Sequence, residues 1–367
     1  MPRSCDPFLA SMCADTPPAP DLAELAGFGW RPALAQGLTP ETLQTTPPVR
    51  VTAVHRSVLQ IAAPGIDLTI PIFVPRTEDE GPATVGDWLL YDPAQGRAVQ
   101  LLPRLSLFQR RAPGTGRGVQ LIAANVDTVF IVTSCNEDFN IARLERYLAL
   151  AHEAGAVPVV VLTKADLTDD ADAFADQARA LMPGLCVEVL DATDPAAVAR
   201  LKPWCGRGQT VAFLGSSGVG KSTLVNGLIG AERMAVGGIR EDDAKGRHTT
   251  SHRELIRLPQ GGWVLDTPGM RELQLTEARQ GLEAVFGDID ALAQNCRFRD
   301  CAHEAEPGCA VQAAIASGVL DADRMQRWRK LLAEDRFNSQ SLAERRSGDR
   351  AFGKMIKRVQ SSKPKRR

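Results

Sequence analysis

The sequence predicts an α/β protein in which a mostly parallel sheet follows a small β-barrel and precedes a helical segment. Apolar, strand-like runs alternate with helical patterns over 113–278, and this alternation is typical of a parallel sheet with helices on both faces. Short β-type runs separated by Gly, Pro and acidic turns fill 49–112, which indicates a barrel. Residues 279–345 carry helical patterns around a cluster of Cys and His. We expect three domains in this order.

The barrel is predicted from the runs "VRVTAVHR", "SVLQIAA", "DLTIPIFV", "GDWLLYD" and "AVQLLPR". An OB-like β-barrel is one economical arrangement of such strands, and an SH3-like barrel fits their spacing nearly as well. Residues 1–48 contain nine prolines and predict a largely irregular leader, with one short helix near "DLAELAGF". After the barrel, "RRAPGTGRG" at 110–118 predicts a connector rich in Gly and Arg.

The strands of the parallel sheet are predicted at "DTVFIVTS", "VPVVVLT", "CVEVLDA", "TVAFLG", "ELIRL" and "WVLDT". Helical segments such as "IARLERYLALAHEAG" lie between several of them. In a sheet of this kind, every strand-to-helix loop emerges at the same edge, so residues after different strands can meet in one site.

Charge is distributed unevenly along a chain of 367 residues whose net charge is −1. Residues 345–367 hold ten Lys and Arg against the single acid Asp349, so the rest of the chain is acidic. A basic tail such as 346–367 suits nucleic acid or a solvated terminus, and charge alone does not separate the two. No apolar run is long enough to span a membrane, and "PFLASMCA" has no basic n-region, so we expect a cytoplasmic protein without a membrane partner.

A phosphate-binding loop is predicted at "GSSGVGKS", which fits G-x-x-x-x-G-K-S between a strand and a helix. Gly215 and Gly220 permit the close backbone approach that side chains would block. The exposed N–H groups would then point at the phosphates, with Lys221 at the β- and γ-phosphates and the Ser222 hydroxyl on Mg²⁺. The other residues that we expect to contact nucleotide here are Ser216, Ser217, Gly218, Val219 and Thr223.

Two further stretches fit a γ-phosphate and Mg²⁺ site. "VLDTPG" places Asp266 at the end of a strand, where it can hold Mg²⁺ through water, and Gly269 where its N–H can bond the γ-phosphate. In "GRHTTSHREL", Thr249 or Thr250 could supply a second hydroxyl to Mg²⁺, and we favour Thr250. The alternative is that either Thr simply begins a strand.

The stretch "TKAD" indicates guanine recognition. The Asp166 carboxylate can accept hydrogen bonds from the N1–H and N2–H₂ groups of guanine, whereas adenine would leave it unpaired. Thr163 begins this motif, and Lys164 would lay its stem along the base and ribose. In "LDATD", the backbone N–H of Ala192 could lie near the guanine O6. The alternative for Asp166 is a helix N-cap.

A metal site is predicted where Cys296, Cys301, His303 and Cys309 fall within fourteen residues. Three thiolates and one imidazole satisfy tetrahedral Zn²⁺ and leave no open position, so we expect one structural zinc ion. Disulfides are the poorer explanation, because no export signal is present. Loss of the metal should unfold this segment, since metal binding and folding are coupled.

The order of these motifs is unusual, because the guanine-reading segments precede the phosphate loop. In this respect the sequence resembles the circularly permuted GTPases, and more narrowly the ribosome small-subunit-dependent GTPase A family. The stretches that carry the resemblance run from about 50 to 345 and include "RLERYLALA", "GSSGVGKSTLVN", "GRHTTSHRELIRLP", "DTPGMRELQL" and "CRFRDCAHEAEPGCAV". The resemblance implies a circularly permuted P-loop GTPase domain between an OB-like barrel and a helical zinc-binding domain. It points to the same four zinc ligands.

The same resemblance implies a GTP hydrolase that acts with the small ribosomal subunit and its rRNA in late subunit maturation. Met270 stands where many GTPases have a water-positioning Gln, so intrinsic turnover should be slow and His248 is the nearest catalytic candidate. The alternative for His248 is a loop histidine without catalytic consequence. The family implies stimulation by the small subunit, and we expect a monomer.

The barrel, the connector and the basic tail are the expected RNA contacts. Phe73, Trp88 and Tyr91 could stack on bases, but core packing is the more probable role for each. Two other functions remain open: a P-loop kinase of a small molecule, and a non-catalytic RNA-binding module with a structural nucleotide.

Overall fold

The computed structural model describes residues 21–75, 81–111, 119–230, 253–266, 275 and 278–339. The chain divides into two compact units. The first comprises the described residues of Met1–Tyr147 and Ala154–Leu273, and the second those of Leu148–Glu153 and Gln274–Arg367. The basic tail and the tip of the Arg-rich connector lie outside the described residues.

The first unit begins with two short helices, α1 (Leu22–Ala26) and α2 (Pro40–Thr45), and a 3₁₀ turn at Pro32–Ala35 between them. Asp21 caps α1 by accepting a hydrogen bond from the N–H of Ala23, and Thr39 caps α2 in the same way through Thr42. The prediction of one short helix near "DLAELAGF" is confirmed. The described part of the leader is more regular than we expected, because Pro32 and Pro40 begin helical turns instead of preventing them.

Five antiparallel strands form the barrel, as the sequence predicts. They are β1 (Pro48–Val54), β2 (Val58–Ala63), β3 (Ile66–Pro71), β4 (Trp88–Asp92) and β5 (Arg97–Leu101). Strand β1 pairs with β2 and β4, β2 pairs with β3, β4 pairs with β5, and β3 lies against β5, which is the order of an OB-type barrel. Phe73, Trp88 and Tyr91 are buried in its core, as expected.

An antiparallel hairpin that we did not predict follows the barrel. Its strands are β6 (Leu107–Arg111) and β7 (Val119–Ala124). The connector predicted at 110–118 therefore begins too early, because Arg110 and Arg111 belong to β6 and pair with Gln120 and Val119 of β7. Phe108 and Ile122 are buried, so the hairpin has an apolar face as well as its basic residues.

The central sheet has the alternation that the sequence predicts. Its elements are β8 (Thr128–Ser134), α3 (Ile141–Glu153), β9 (Val157–Thr163), α4 (Ala171–Arg179), β10 (Cys186–Val189), α5 (Pro195–Val198), β11 (Thr210–Leu214), α6 (Lys221–Ile229), β12 (Arg253–Arg257) and β13 (Trp263–Asp266). The strand order is β10-β9-β8-β11-β13-β12. All neighbours are parallel except β12, which runs antiparallel to β13. The mostly parallel sheet is therefore confirmed.

The barrel and the central sheet share a ladder. Strand β12 pairs with β1 of the barrel, with Ala53 opposite Glu254 and Val54 opposite Arg253. Arg50 of β1 is buried, and its guanidinium donates to the carbonyl of Asn125 and to the hydroxyl of Thr210, where β11 begins. A single sheet thus runs from the barrel into the parallel strands.

The second unit contains four helices: α7 (Arg279–Val285), α8 (Gly287–Ala293), α9 (Ala310–Ala316) and α10 (Ala322–Ser339). Gly281 of α7 approaches the last turns of α3 so closely that an added Cβ would lie 2.0 Å from the carbonyl oxygen of Ala149. Arg324 of α10 pairs with Asp288 of α8 through two hydrogen bonds of 2.8 and 2.9 Å. Over the residues that the structure describes, no helix is long and apolar enough to cross a membrane.

Candidate functional site

The phosphate loop lies at the carboxyl edge of the central sheet. Strand β11 ends at Leu214, the loop follows, and α6 begins at Lys221. Gly215 has a φ of 148°, and a Cβ placed there would lie 2.2 Å from the carbonyl oxygen of Val132 in β8. Gly220 has a φ of 93°, a value that favours glycine. Both motif glycines are therefore required by the backbone itself.

The two segments predicted to recognise guanine, "TKAD" and "LDATD", meet this loop from the neighbouring strands. The Thr163 hydroxyl at the end of β9 donates a 2.7 Å hydrogen bond to the carbonyl of Val219 in the loop. A Cβ on Gly220 would lie 3.6 Å from both the Thr163 hydroxyl and the Ala192 methyl group. Segments far apart in the chain are thus brought together at one edge, as the parallel sheet predicts.

The "TKAD" segment turns sharply at this edge. Lys164 has a left-handed φ of 57°, and residues Ala165–Leu167 form a 3₁₀ turn. Asp166 is exposed, and its carboxylate has no hydrogen-bond partner among the described residues. Helix α4 begins only at Ala171 with Asp170 at its N-cap position, so Asp166 does not cap that helix.

The "LDATD" segment is ordered by its own acidic residues. Asp191 accepts hydrogen bonds from the backbone N–H and the hydroxyl of Thr193, and these bonds lower the pKa of the Asp191 carboxyl. Asp194 caps α5 through the N–H groups of Ala196 and Ala197. Ala192 lies between these turns and is nearly buried.

The cationic side chains at the phosphate loop converge on its first residues. Lys221 Nζ lies 2.9 Å from the carbonyl oxygen of Gly215 and also donates to the carbonyl of Ser216. Arg143, in the first turn of α3, donates to the Ser216 hydroxyl and to Asp138. Sequence analysis assigned no role to Arg143, although it opens the stretch "RLERYLALA", because nothing in that stretch indicates a contact with the distant Ser216.

Several residues that we expected to bind nucleotide are accessible in and beside the loop. Ser217 and Gly218 are exposed, and Ser222 and Thr223 are half-buried at the start of α6, while Val219 is buried beneath the loop. Asp266 ends β13 opposite Glu254 of β12. The remaining predicted residues lie outside the described part of the chain: His248, Thr249, Thr250 and Gly269.

The four predicted zinc ligands form a cluster in the second unit. One ligand atom from each of Cys296, Cys301, His303 and Cys309 can be chosen so that all lie within 4.8 Å of one another. The Sγ atoms of Cys296 and Cys309 lie 3.5 and 3.6 Å from His303 Nδ1, and 3.9 Å from each other. Three sulfurs and a nitrogen at these separations fit tetrahedral Zn²⁺.

The surroundings act in opposite directions on two thiols of the cluster. Burial alone would raise the pKa of Cys296, but hydrogen bonds from the N–H groups of Val311 and Ala310 lower it on balance. Burial raises the pKa of Cys301 to about 11. His303 has a left-handed φ of 59°, and its carbonyl accepts hydrogen bonds from Gln312 and Arg329. The metal loop is thereby attached to both α9 and α10.

These features define a class of protein: a P-loop nucleotide-binding domain whose strands follow a permuted order, fused to a β-barrel. Solved structures share the architecture. The chain is similar to YjeQ from Thermotoga maritima, with 24% identity, a TM-score of 0.57, and coverage of 78% of this chain and 97% of that one. It is equally similar to YloQ, described as a circularly permuted GTPase, with 24% identity, a TM-score of 0.57, and coverage of 81% and 97%. The predicted permutation is confirmed.

Sequence relatives identify the family. The model of the RsgA GTPase family matches residues 101–276. The small ribosomal subunit biogenesis GTPase RsgA 2 of Vibrio parahaemolyticus is 50% identical over 344 residues, which cover 93% of this chain and 94% of that protein. The small ribosomal subunit biogenesis GTPase RsgA of Mesorhizobium japonicum is 48% identical over 338 residues, 91% of this chain and 94% of its own. The chain belongs to the RsgA GTPase family.

Proposed function

We propose that this protein hydrolyses GTP to GDP and phosphate as a switch in late maturation of the small ribosomal subunit, which stimulates the reaction. The observation that carries the proposal is the contact between Thr163 and Val219, which joins the guanine-reading segment to the phosphate loop. A P-loop kinase, or an RNA-binding module with a structural nucleotide, would not require a guanine-recognition motif such as "TKAD" beside the phosphate loop.

Each end of the nucleotide has its own residues in this proposal. The exposed carboxylate of Asp166 accepts from guanine, the Lys164 stem lies along the base and ribose, and the Ala192 N–H faces O6. The loop from Gly215 to Thr223 holds the phosphates, and Lys221 exchanges its contacts with loop carbonyls for the β- and γ-phosphates.

Hydrolysis requires charge neutralisation and a positioned water. Mg²⁺ would be held by Ser222, Thr250 and, through water, Asp266, and when bound it offsets the charge that develops on the phosphates. Gly269 would sense the γ-phosphate, and His248 would orient the attacking water. Thr249 remains the alternative to Thr250.

The partner is proposed from the relatives, whose names assign them to biogenesis of the small ribosomal subunit. We expect rRNA to be bound through the barrel and the basic residues, and the helical unit to be stabilised by one zinc ion at its Cys and His cluster. The protein would act as a monomer in the cytoplasm.

GTP turnover with and without purified small subunits tests the function. Lys221→Ala should lower stimulated turnover at least a hundredfold, because the phosphate charge loses a principal cation. Lys202→Ala removes an exposed lysine from the same unit and should leave turnover unchanged. Equal turnover by wild type and Lys221→Ala, or preference for ATP over GTP, would contradict the proposal.

A further inference from the structure

Arg143 connects the helix that follows β8 to the phosphate loop that follows β11. Strands β8 and β11 are parallel neighbours, so the loops at their carboxyl ends face each other. The Arg143 guanidinium spans the gap: one nitrogen donates to the Ser216 hydroxyl, and the other donates to the backbone carbonyl and the carboxylate of Asp138. Arg143 opens the stretch "RLERYLALA", which carries part of the family resemblance, but the resemblance gives this side chain no role.

A helix cap fixes the position of the Arg143 backbone. Asn140 accepts a hydrogen bond of 2.9 Å from the N–H of Arg143 and thereby caps the first turn of α3. Leu144, the next residue, is buried in the core. Because the helix start is held in this way, the guanidinium is presented to the loop from a rigid base and not from a flexible connection.

Lys221 and Arg143 both donate hydrogen bonds to Ser216. Its carbonyl accepts from Lys221 and its hydroxyl accepts from Arg143. In our proposed function, Lys221 turns from the loop carbonyls to the phosphates when nucleotide binds. Arg143 would then be the cation that keeps Ser216 in place, because its contact uses the hydroxyl and not the carbonyl.

The contacts of Arg143 distinguish two roles for it: holding the phosphate loop in place, or stabilising charge on a transferring phosphoryl group. The Asp138 carboxylate lies 3.1 Å from the guanidinium and offsets its charge locally. A partly neutralised guanidinium held by Ser216 is suited to fixing the loop, and poorly suited to stabilising charge on a transferring phosphoryl group. We infer that Arg143 is a positioning residue that holds the phosphate loop in its nucleotide-binding conformation through Ser216.

This inference rests on the proposed function and predicts a particular kinetic pattern. The loop N–H groups cradle the α- and β-phosphates, which GDP and GTP share. Arg143→Ala should therefore raise the dissociation constants of GDP and GTP by a similar factor of about ten, the value of one charge-assisted hydrogen bond. The KM for GTP should rise in parallel, while kcat at saturating GTP should stay within about twofold.

The experiment measures both dissociation constants, KM and kcat for five variants and the wild type. Ser216→Ala should weaken binding as Arg143→Ala does, and the double variant should be no weaker than either single one, because both remove the same contact. Arg143→Lys should recover little, since an ammonium group cannot span both partners in the manner of the planar guanidinium. Arg179→Ala removes an exposed arginine paired with Asp176 on α4 and is the matched control.

The outcomes separate this inference from the function itself. If the wild type binds neither nucleotide, the proposed function fails first. If the wild type binds both and Arg143→Ala binds them equally well, only the role of Arg143 is overturned. A loss of kcat at unchanged affinity would instead make Arg143 a transition-state group, and additive losses in the double variant would show that the two residues act independently. A lowered melting temperature with unchanged affinity would reduce Arg143 to a structural residue.

Discussion

At the scale of single residues, buried hydroxyl groups determine how the nucleotide edge is assembled. Thr163 is fully buried, and its hydroxyl lies 2.7 Å from the Val219 carbonyl and 3.3 Å from that of Thr133. Val219 is itself buried, so no solvent replaces a lost donor. One hydroxyl therefore ties the guanine-reading segment to the phosphate loop.

We predict that Thr163→Val weakens binding of GTP and GDP about tenfold and lowers the free energy of unfolding by about 1–2 kcal/mol. Valine keeps the shape of the side chain but leaves the Val219 carbonyl without its donor. Titration calorimetry and denaturant unfolding measure the two effects. Thr163→Ser keeps the hydroxyl and should bind nearly as the wild type does. Full affinity in Thr163→Val would show that the loops are held together by other contacts.

The residue scale is also where sequence reasoning was least complete. The motif residues could be chosen because spacing identifies them, as with Gly215 and the four zinc ligands. The roles of Arg50 and Arg143 could not be inferred, because their partners Thr210 and Ser216 are distant in the chain. Their roles arise only when the sheet brings those partners close.

At the scale of elements, strands with a clear apolar pattern were predictable and the hairpin of β6 and β7 was not. The barrel and central strands are apolar runs bounded by turn residues. In the hairpin, "LFQRR" ends in two arginines that continue into the stretch rich in Gly and Arg, and this composition predicted a connector instead of a strand. For α2 a local signal did exist: Thr39, Pro40 and Glu41 form a cap, a first-turn proline and a first-turn acid.

Two helices of the second unit are attached to the Cys and His cluster of residues 296–309 by hydrogen bonds. Cys309 is the N-cap residue of α9, where its Sγ accepts from the N–H of Gln312, and the His303 carbonyl accepts from Arg329 of α10. Two of the predicted zinc ligands thus hold the start of one helix and the side of another. A short helix such as α9 is marginal by itself in water.

We predict that removing zinc with a chelator unfolds α9 and detaches α10, while the sheet of the first unit stays protected. Cys309→Ser should have the same effect, because it removes a thiolate ligand while the serine hydroxyl can still cap α9. Metal content and hydrogen exchange over 278–339 and over the strands measure the result. Cys186→Ser, which replaces an exposed cysteine of the first unit, is the control and should retain zinc. Undiminished protection of α9 in metal-free protein would contradict a structural zinc site.

At the scale of the whole chain, the barrel and the parallel strands belong to one unit because their sheets are continuous. The ladder between β1 and β12 is short. The buried Arg50 of β1 adds further hydrogen bonds between the barrel and the region of the central sheet. Its guanidinium donates to the carbonyls of Phe28 and Asn125 and to the hydroxyl of Thr210. Burial lowers its pKa to about 10, which still leaves it charged at neutral pH.

This continuity predicts that nucleotide binding stabilises the barrel. Strand β12 pairs on one side with β13, which ends at Asp266, and on the other with β1. A ligand that stabilises the carboxyl edge of the central sheet should therefore slow opening of the barrel strands as well, because both belong to one cooperative unit. Arg50→Ala should uncouple the two. It leaves the Thr210 hydroxyl and two carbonyls without their donor, and it should cost about 3 kcal/mol.

Hydrogen exchange with and without GDP tests the coupling strand by strand. In the wild type, protection of β1, β2 and β4 should rise with GDP concentration in parallel with that of β8 and β11. In Arg50→Ala, GDP should still protect the central strands while the barrel gains less. Arg97→Ala removes an exposed arginine of β5 whose guanidinium donates to Gln95, a neighbour within the barrel, and it should leave the coupling intact. If GDP protects the central strands of the wild type and leaves the protection of the barrel strands unchanged, the predicted coupling is wrong. The barrel and the central sheet would then unfold independently although their strands pair.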